Sequence, residues 1–584
     1  MGRTRKSAAV LALTAAVTGV IAASAASSPS SSTYAESNEG IVNTFATTKQ
    51  TSCYTPEVPF FVSLGPALGY TGMSACNGAS TTGENLGPYP TQAGSNPGYP
   101  AATPMLVKDH SESDIRVDPT NPDHVIGTSK WFVSAEGYNH QLGFYEKSPA
   151  SPWIEGHIPG YEGWTDNTDP VGAFDTFGNF WFLDLAYQFF YDKNGGHNFT
   201  VGKSQEPNPV QPAEVIGASV RPHGSTAATQ WGAPQPDIVA AYDSVGNEPD
   251  KQWITVDRST SPTSHTNRIY AMWVDFHFVT PVPYVSYADA SMIGTHTPWS
   301  TPQKLPEPPH TPTGATYLLP HVAPNGDIYT TVTNFDPAHQ YASGSIFIDK
   351  STDGGVTWQT VGTPISLAAV TPEIFANTTF RDGIIDTFAV GTHAIGGHYP
   401  LYVAYEDYSA GVSNVLLTMS TDDGGHWSSP VKVNDNTSPV DEFQPNLSVS
   451  PSGTVSVAFY DRRLQCPQAG TPEGDAAGIT SLDPTAAGRT NYCVNASVQF
   501  YHPNLAPFGG NIRLTQHTWD PQLNAPHTGS PSGTETFIGD YFGNDASVGG
   551  TDWFSFVSTY DDGSNPLHQQ QQIVVSVPTP DSAG

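Results

Sequence analysis

The 584-residue sequence predicts an all-β protein folded as a single β-propeller, and three observations lead there. Only 13% of its residues are charged, whereas Gly (55), Pro (52) and aromatic residues (11%) are plentiful. That is the composition of short strands joined by many turns, not of a disordered acidic chain. Helical periodicity is nearly absent after the first residues. Finally, one pattern recurs: a β-rich segment with Asp-Pro or Asp-x-x-Gly, then a second strand ending in an aromatic and an acid. The copies are SDIRVDPTNPDHVIGTSKWF (113–132), TDPVGAFDTFGNFWFLDLAY (168–187), KQWITVDRSTSPTSHTNRIYAMWVDF (251–276) and YLLPHVAPNGDIYTTVTNFD (317–336). FRDGIIDTFAVGTHAIGGHYPLYVAYEDY (380–408), FQPNLSVSPSGTVSVAFYDRR (443–463) and TFIGDYFGNDASVGGTDWFSFVSTYDD (536–562) follow. Self-similar strand pairs at intervals of about 40–50 residues or more mean propeller blades.

After most pairs a third strand leads into a tight polar turn that ends on an aromatic. The clearest are Ser351-Thr352-Asp353-Gly354-Gly355-Val356-Thr357-Trp358 and Ser420-Thr421-Asp422-Asp423-Gly424-Gly425-His426-Trp427. Decayed versions stand at 146–153 and 192–199 and near Trp299 and Asn511. A hairpin explains the residue types: the Asp carboxylate accepts from turn amides, Gly allows positive φ, and the Trp packs between neighbouring sheets. These segments resemble the Asp-box of sialidases and other BNR-repeat proteins, and the resemblance covers about Met105 to Pro578. It implies a secreted bacterial-type, sialidase-like propeller in which Asp353 and Asp422 close outer hairpins and are not catalytic.

Seven inner strand pairs predict seven blades, the last lacking its outer strand. The segment ATPMLVKDHSESD (102–114) reads like SSPVKVNDNTSPVDE (428–442), the outer strand and crossing loop of another blade. Pro104–Lys108 is therefore expected to close the last blade, leaving no open sheet edge. Six blades, as in the sialidases, are the alternative. The domain organisation expected is a signal peptide (1–26), a Ser/Gly/Pro-rich lead-in with one disulfide (27–101), the propeller (102–578) and a short tail (579–584).

The basic start Met1 to Lys6, the apolar stretch from Ala8 and the run Ser24-Ala25-Ala26-Ser27 predict secretion. A formal charge of −32 repels nucleic acid and anionic lipid, so neither is expected as a partner. The protein is expected to be a monomer that meets an extracellular glycan or glycoprotein. Its four cysteines fall into two local pairs, predicting Cys53–Cys76 and Cys466–Cys493 in an oxidising compartment. No cofactor is expected, with structural calcium the one possibility kept open.

Chemistry is expected on the face that carries the loops entering each innermost strand and those joining the second and third strands. Second strands end on Asp275, Asp336, Glu406-Asp407, Asp461-Arg462-Arg463 and Tyr560-Asp561. The entering loops add His110, Glu112, Asp114, Asp166, Asp169, Asp441, Glu442, Asp540 and Tyr541. Carboxylates interleaved with aromatic rings suit acid/base work on a glycosidic bond, or binding of sugar hydroxyls. The sialidase resemblance implies arginines for a substrate carboxylate, an Asp acid/base and a Tyr nucleophile activated by a Glu. It points to Arg116, Arg381 and Arg462, with Asp275, for binding, and to Asp461, Glu406, Asp540 and Tyr541 for catalysis. Tyr560 and Glu535 are further candidates for the Tyr/Glu pair. The function expected is a glycoside hydrolase, with a non-catalytic binding propeller or a polysaccharide lyase as alternatives. His110, His277 and Arg462 would serve the lyase.

Overall fold

The computed structural model describes residues 44–48, 110–132, 140–148, 151–158, 166–187, 214–232, 237–242, 248–277, 280–306, 314–335, 342–378, 380–479, 486–521, 537–546, 548–563 and, with short gaps, 565–580. They form seven small antiparallel sheets, the seven blades of a β-propeller. Each recurring pair in the sequence is the inner strand pair of one blade. In blade 1, for example, His110–Asp118 pairs with Asn121–Phe132, which is followed by His140–Ser148 and Ser151–His157. Blade 4 differs: its innermost strand is interrupted, so that Gly314–Thr316 and His321–Val322 both pair with Ile328–Phe335.

Neighbouring blades hold one another through apolar faces, as the alternation of strand side chains requires. Ile126, Leu142 and Phe144 of blade 1 meet Phe174, Phe180 and Phe182 of blade 2. Trp181 and Leu183 of blade 2 meet Ile254, Ile269 and Trp273 of blade 3. The series continues through all seven interfaces to Trp553 and Val574 of blade 7 against Ile115, Val117 and Tyr145 of blade 1. The ring is therefore closed by packing as well as by the chain.

Closure by strand pairing comes from the N-terminal side, though not from the expected residues. Thr44–Thr48 pairs antiparallel with Gln571–Pro578 and supplies the outer strand of blade 7, whose other strands are Gly543–Asp545 and Thr551–Ser558. Pro104–Lys108, expected in that position, lies outside the described residues. His110–Asp118 opens blade 1 as Glu442–Val449 opens blade 6. Segment 27–101 thus contributes a blade strand.

The two Ser-Thr-Asp turns join third and fourth strands, on the face opposite the entering loops. Asp353 accepts from the backbone N of Val356 (3.1 Å) and Thr357 (2.9 Å) and from the hydroxyls of Ser351 (2.8 Å) and Thr357 (2.7 Å). Asp422 likewise accepts from Ser420 Oγ and His426 N, both at 2.8 Å. Both carboxylates are spent on their own turns.

Cys466 and Cys493 form a disulfide that ties the base of the long insertion in blade 6; Cys53 and Cys76 lie outside the described residues. A short helix, Pro472–Ala476, latches that insertion to blade 7, where Glu473 accepts from Tyr560 Oη at 2.8 Å. Replacing both cysteines with Ser is expected to cost about 2–4 kcal/mol of stability in denaturant titration.

Candidate functional site

Each blade begins at the same end of the ring, and the start of the innermost strand is built alike in six of the seven. A residue there has positive φ: Glu112 (52°), Asp169 (56°), Lys251 (55°), Tyr317 (50°), Gln444 (48°) and Gly539 (105°). Register shifts at Ser111/Asp114, Thr168/Val171, Asp250/Trp253 and Phe443/Asn446 make four of these positions β-bulges. For a non-glycine residue this conformation costs about 1–2 kcal/mol. Five such residues at one rim mark a place where strain is retained, as at functional sites.

The bulges gather charge around the axis. Asp540 of blade 7 receives Arg381 of blade 5 in a two-pronged pair, Nη2 to Oδ1 at 2.8 Å and to Oδ2 at 2.6 Å, and Lys251 Nζ of blade 3 at 3.0 Å. Burial would favour a protonated Asp540, but Arg381 and then Lys251 outweigh it and hold the carboxyl well below the usual range. Glu112 is also fully buried: its Oε2 meets Lys130 Nζ at 3.1 Å and the Asp169 backbone N at 3.1 Å. Burial and then Asp169 push it up to about 8, against the pull of Lys130. Next to Arg381, Asp382 is raised to about 7 by burial while it hydrogen-bonds Glu406, which burial and Asp382 raise further. Two carboxyls bonded to each other need a proton between them.

Within this ring lies a small pocket whose enclosed space is about 10 Å³, room for a single water-sized group, lined by Asp169, Lys251, Gln252, Trp253, Tyr317 and Asp540 together with Tyr541 and three aliphatic side chains. The Trp253 and Tyr541 rings meet edge to face at 5.2 Å. The Tyr541 hydroxyl donates to Pro170 O at 2.9 Å, and burial followed by Glu112 and Asp169 raises its pKa well above the ordinary value. It is a wall of the cavity with a strongly held proton.

Of the residues expected from sequence, the structure brings Asp540, Tyr541, Arg381 and Glu406 to this rim. It does not bring the three arginines together, because each is tied to a different carboxylate. Arg116 bonds Asp114 (2.8 Å) and Gly172 O (2.9 Å) toward the far end of its strand, where its electrostatic neighbours are Arg258 and His321. Arg462 is fully buried in blade 6, held by Asp441 (3.1 Å) and Asn491 O (2.7 Å). Asp461 is paired with Arg463 (2.7 Å) and Ser497 Oγ (2.8 Å) in the same blade. Asp275 is buried at the head of blade 3, in the electrostatic range of Tyr242 and Tyr284. Asp336 and Glu535 lie outside the described residues. Among the described residues, no group of three or more His, Cys, Asp or Glu side chains is arranged to hold a metal ion.

Lys251, Gln252, Trp253 and Tyr317 were not singled out by sequence reasoning, which looked for acids and arginines. Their signal is positional: Glu112, Asp169, Lys251 and Tyr317 fall at one equivalent place in consecutive repeats.

Fold and site define a seven-bladed β-propeller with an acidic, aromatic-walled cavity at the mouth of its axis. No protein-family model matches the chain, and no curated protein matches it. Among solved structures it is similar to the intramolecular trans-sialidase from Ruminococcus gnavus (11% identity, TM-score 0.37, covering 62% of this chain and 92% of that one). It is also similar to an alpha-L-arabinanase from Penicillium chrysogenum (10%, 0.36, 61% and 91%). A third likeness is to the polysaccharide lyase Uly1 (10%, 0.42, 81% and 91%). Likenesses this distant say nothing about what the chain acts on.

Proposed function

We propose that the protein is a secreted, monomeric glycoside hydrolase of sialidase-like architecture that acts on an extracellular glycan at the cavity bounded by blades 2, 3, 4 and 7. One observation carries the reading: carboxylates from two blades, Asp169 and Asp540, line one cavity with the rings of Trp253, Tyr317 and Tyr541. Rings offer faces to a pyranose, and a carboxylate pair is the chemical equipment for glycosidic cleavage. In this reading Asp169 is the acid/base. Asp540, kept ionised by Arg381 and Lys251, stabilises the positive charge that develops on the sugar ring. The two Ser-Thr-Asp turns are then Asp-boxes, a reading supported by the way each carboxylate caps its own turn.

A binding platform without turnover is the second reading, favoured by the Tyr541 hydroxyl, which is engaged with Pro170 O and not with a glutamate.

Purified protein assayed on fluorogenic neutral, amino and sialyl glycosides and on uronate polysaccharides separates these readings. Turnover is expected on a glycoside, with kcat lowered at least about 10²-fold in Asp169→Asn while the melting temperature holds. An ultraviolet-absorbing unsaturated product would identify a lyase instead. Binding without turnover on every substrate would leave only the platform.

A further inference from the structure

Resting on the reading of this rim as a glycoside hydrolase site, we infer that the pocket is the seat of the attacking water, oriented for Asp169, and that its size bars larger acceptors, so that the enzyme hydrolyses glycosides and does not pass the sugar to alcohols. The inference starts from how Asp169 is held. Its bulge, at φ of 56°, is clamped from the blades on both sides. Glu112 Oε2 of blade 1 accepts from the Asp169 backbone N at 3.1 Å, and Gln252 Nε2 of blade 3 donates to Asp169 O at 2.7 Å and to Thr168 O at 3.1 Å. The side chain is fixed as well: Thr168 Oγ1 donates to Asp169 Oδ1 at 2.6 Å and itself accepts from the buried Lys130 Nζ at 2.7 Å. Strain retained under such a clamp is how a reacting group is kept in place.

One oxygen is left over. Asp169 Oδ2 has no hydrogen-bond partner among the described residues, and it is not sealed from solvent as Gln252 Oε1 is. The other groups of the lining that could attack a sugar are engaged. Both oxygens of Asp540 are taken by Arg381 and Lys251. The Tyr317 hydroxyl donates to Gly383 O at 3.1 Å and that of Tyr541 to Pro170 O at 2.9 Å. With Asp169 as the acid/base, the nucleophile is therefore a water, which can accept from the Lys251 ammonium and donate to Asp169 Oδ2. Asp169 gives its proton to the aglycone oxygen as the glycosidic bond breaks. The water oxygen then bonds the anomeric carbon and Asp169 recovers a proton from that water, so that one water is consumed and Asp169 returns unchanged.

Size decides what else can enter. The enclosed space of about 10 Å³ is that of one water. The remaining walls are firmly packed: Trp253 meets Tyr541 edge to face at 5.2 Å, and Leu318, Leu319 and Ile384 are buried in three separate hydrophobic cores. Methanol carries the same hydroxyl on one more carbon, and a close-packed wall refuses a carbon for which it has no place. The sugar itself, far larger than the pocket, is received outside it, so the pocket serves the acceptor and not the glycan.

The test is turnover of a fluorogenic glycoside by the intact protein in water–methanol mixtures, with free sugar and methyl glycoside quantified by mass spectrometry. Methyl glycoside is expected at about a tenth or less of the share that the methanol-to-water mole ratio predicts. Ile384→Val opens room for about one carbon and should raise that share several-fold. Should that variant not fold, Leu319→Val carries the same expectation. Methyl glycoside formed by the unaltered protein in proportion to the methanol present, or a share that does not rise in a folded variant, would overturn the inference while the hydrolase reading stands. If no glycoside is turned over, or the product is unsaturated, the hydrolase reading itself falls and the inference with it.

Discussion

Raising the pH from 5 to 8 is expected to lower the melting temperature by roughly 10 °C or more, an unusual direction for a protein with so many acids. The cause is a set of buried carboxyls that fold protonated. Asp349 is raised by burial to about 7, with one oxygen accepting from Thr360 Oγ1 at 2.7 Å and the other without a partner. Asp386 is raised to about 7 by the same cause and accepts from Thr333 Oγ1 at 2.8 Å. Burial takes Asp552 to about 8 and, despite Arg116, Asp114 to about 6; Glu112 and Asp382 join them.

Between an unfolded value near 4 and these folded values, the folded chain holds protons that the unfolded chain has released. Stability therefore falls as pH rises through that window, and the loss is complete once the folded values are passed. For Asp349 alone it is on the order of 4 kcal/mol. His124 works in the same sense at higher pH: its bonds to Asp118 and Glu146 overcome burial and raise it to about 9, so its contribution is lost above that value. Among these groups His321 opposes the trend, lowered to about 3 by burial and then by Arg116 and Arg258, so that its contribution grows as pH rises from about 3 to about 6.5 and is constant above that. Asp349→Asn with Asp386→Asn keeps an acceptor for each threonine and should flatten the slope. A melting temperature equal at pH 5 and pH 8, or a slope unchanged in the double variant, would contradict the account.

Removal of residues 27–95 is expected to destabilise the ring by several kcal/mol, on the order of a large share of a domain's stability. The deletion takes away Thr44–Thr48 and leaves Gln571–Pro578 as a bare edge, a template for intermolecular pairing. Removal of 27–40 keeps the strand and should melt like the full chain. Thermal melting and light scattering of the two truncations decide it, and indistinguishable behaviour would sink the claim that this strand closes the ring.

The blades were legible because their signals are local: an Asp-x-x-Gly turn, an alternating strand and a terminal aromatic sit within a few tens of residues. Asp175 shows how local, its carboxylate accepting from the backbone of Phe177 and Asn179 at 2.9 Å each while Gly178 takes φ of 86°. The closing strand was not legible, because a single short β segment distant in sequence from its partner carries no pattern of its own. At the candidate site, residue type and position pointed to Asp540, Tyr541 and Arg381, which the structure brings to one rim. Arg116 and Arg462 met the same criterion but lie apart from that rim, for an arginine in a strand reads alike whether it faces a ligand or, as Arg462 does, a buried aspartate. Lys251 and Gln252 could be recognised only through the bulge that turns them to the mouth.

Those bulges have an evolutionary consequence. Along a regular strand successive side chains belong alternately to the interfaces with the two neighbouring blades, so a change of residue disturbs packing. At a bulge the extra residue stands outside that alternation, and Glu112, Asp169, Lys251 and Gln444 already differ in charge, size and polarity on a common backbone. The rim is thus a set of interchangeable positions on a scaffold whose cohesion lies elsewhere, and a lineage could acquire a new ligand by single substitutions there without renegotiating the fold.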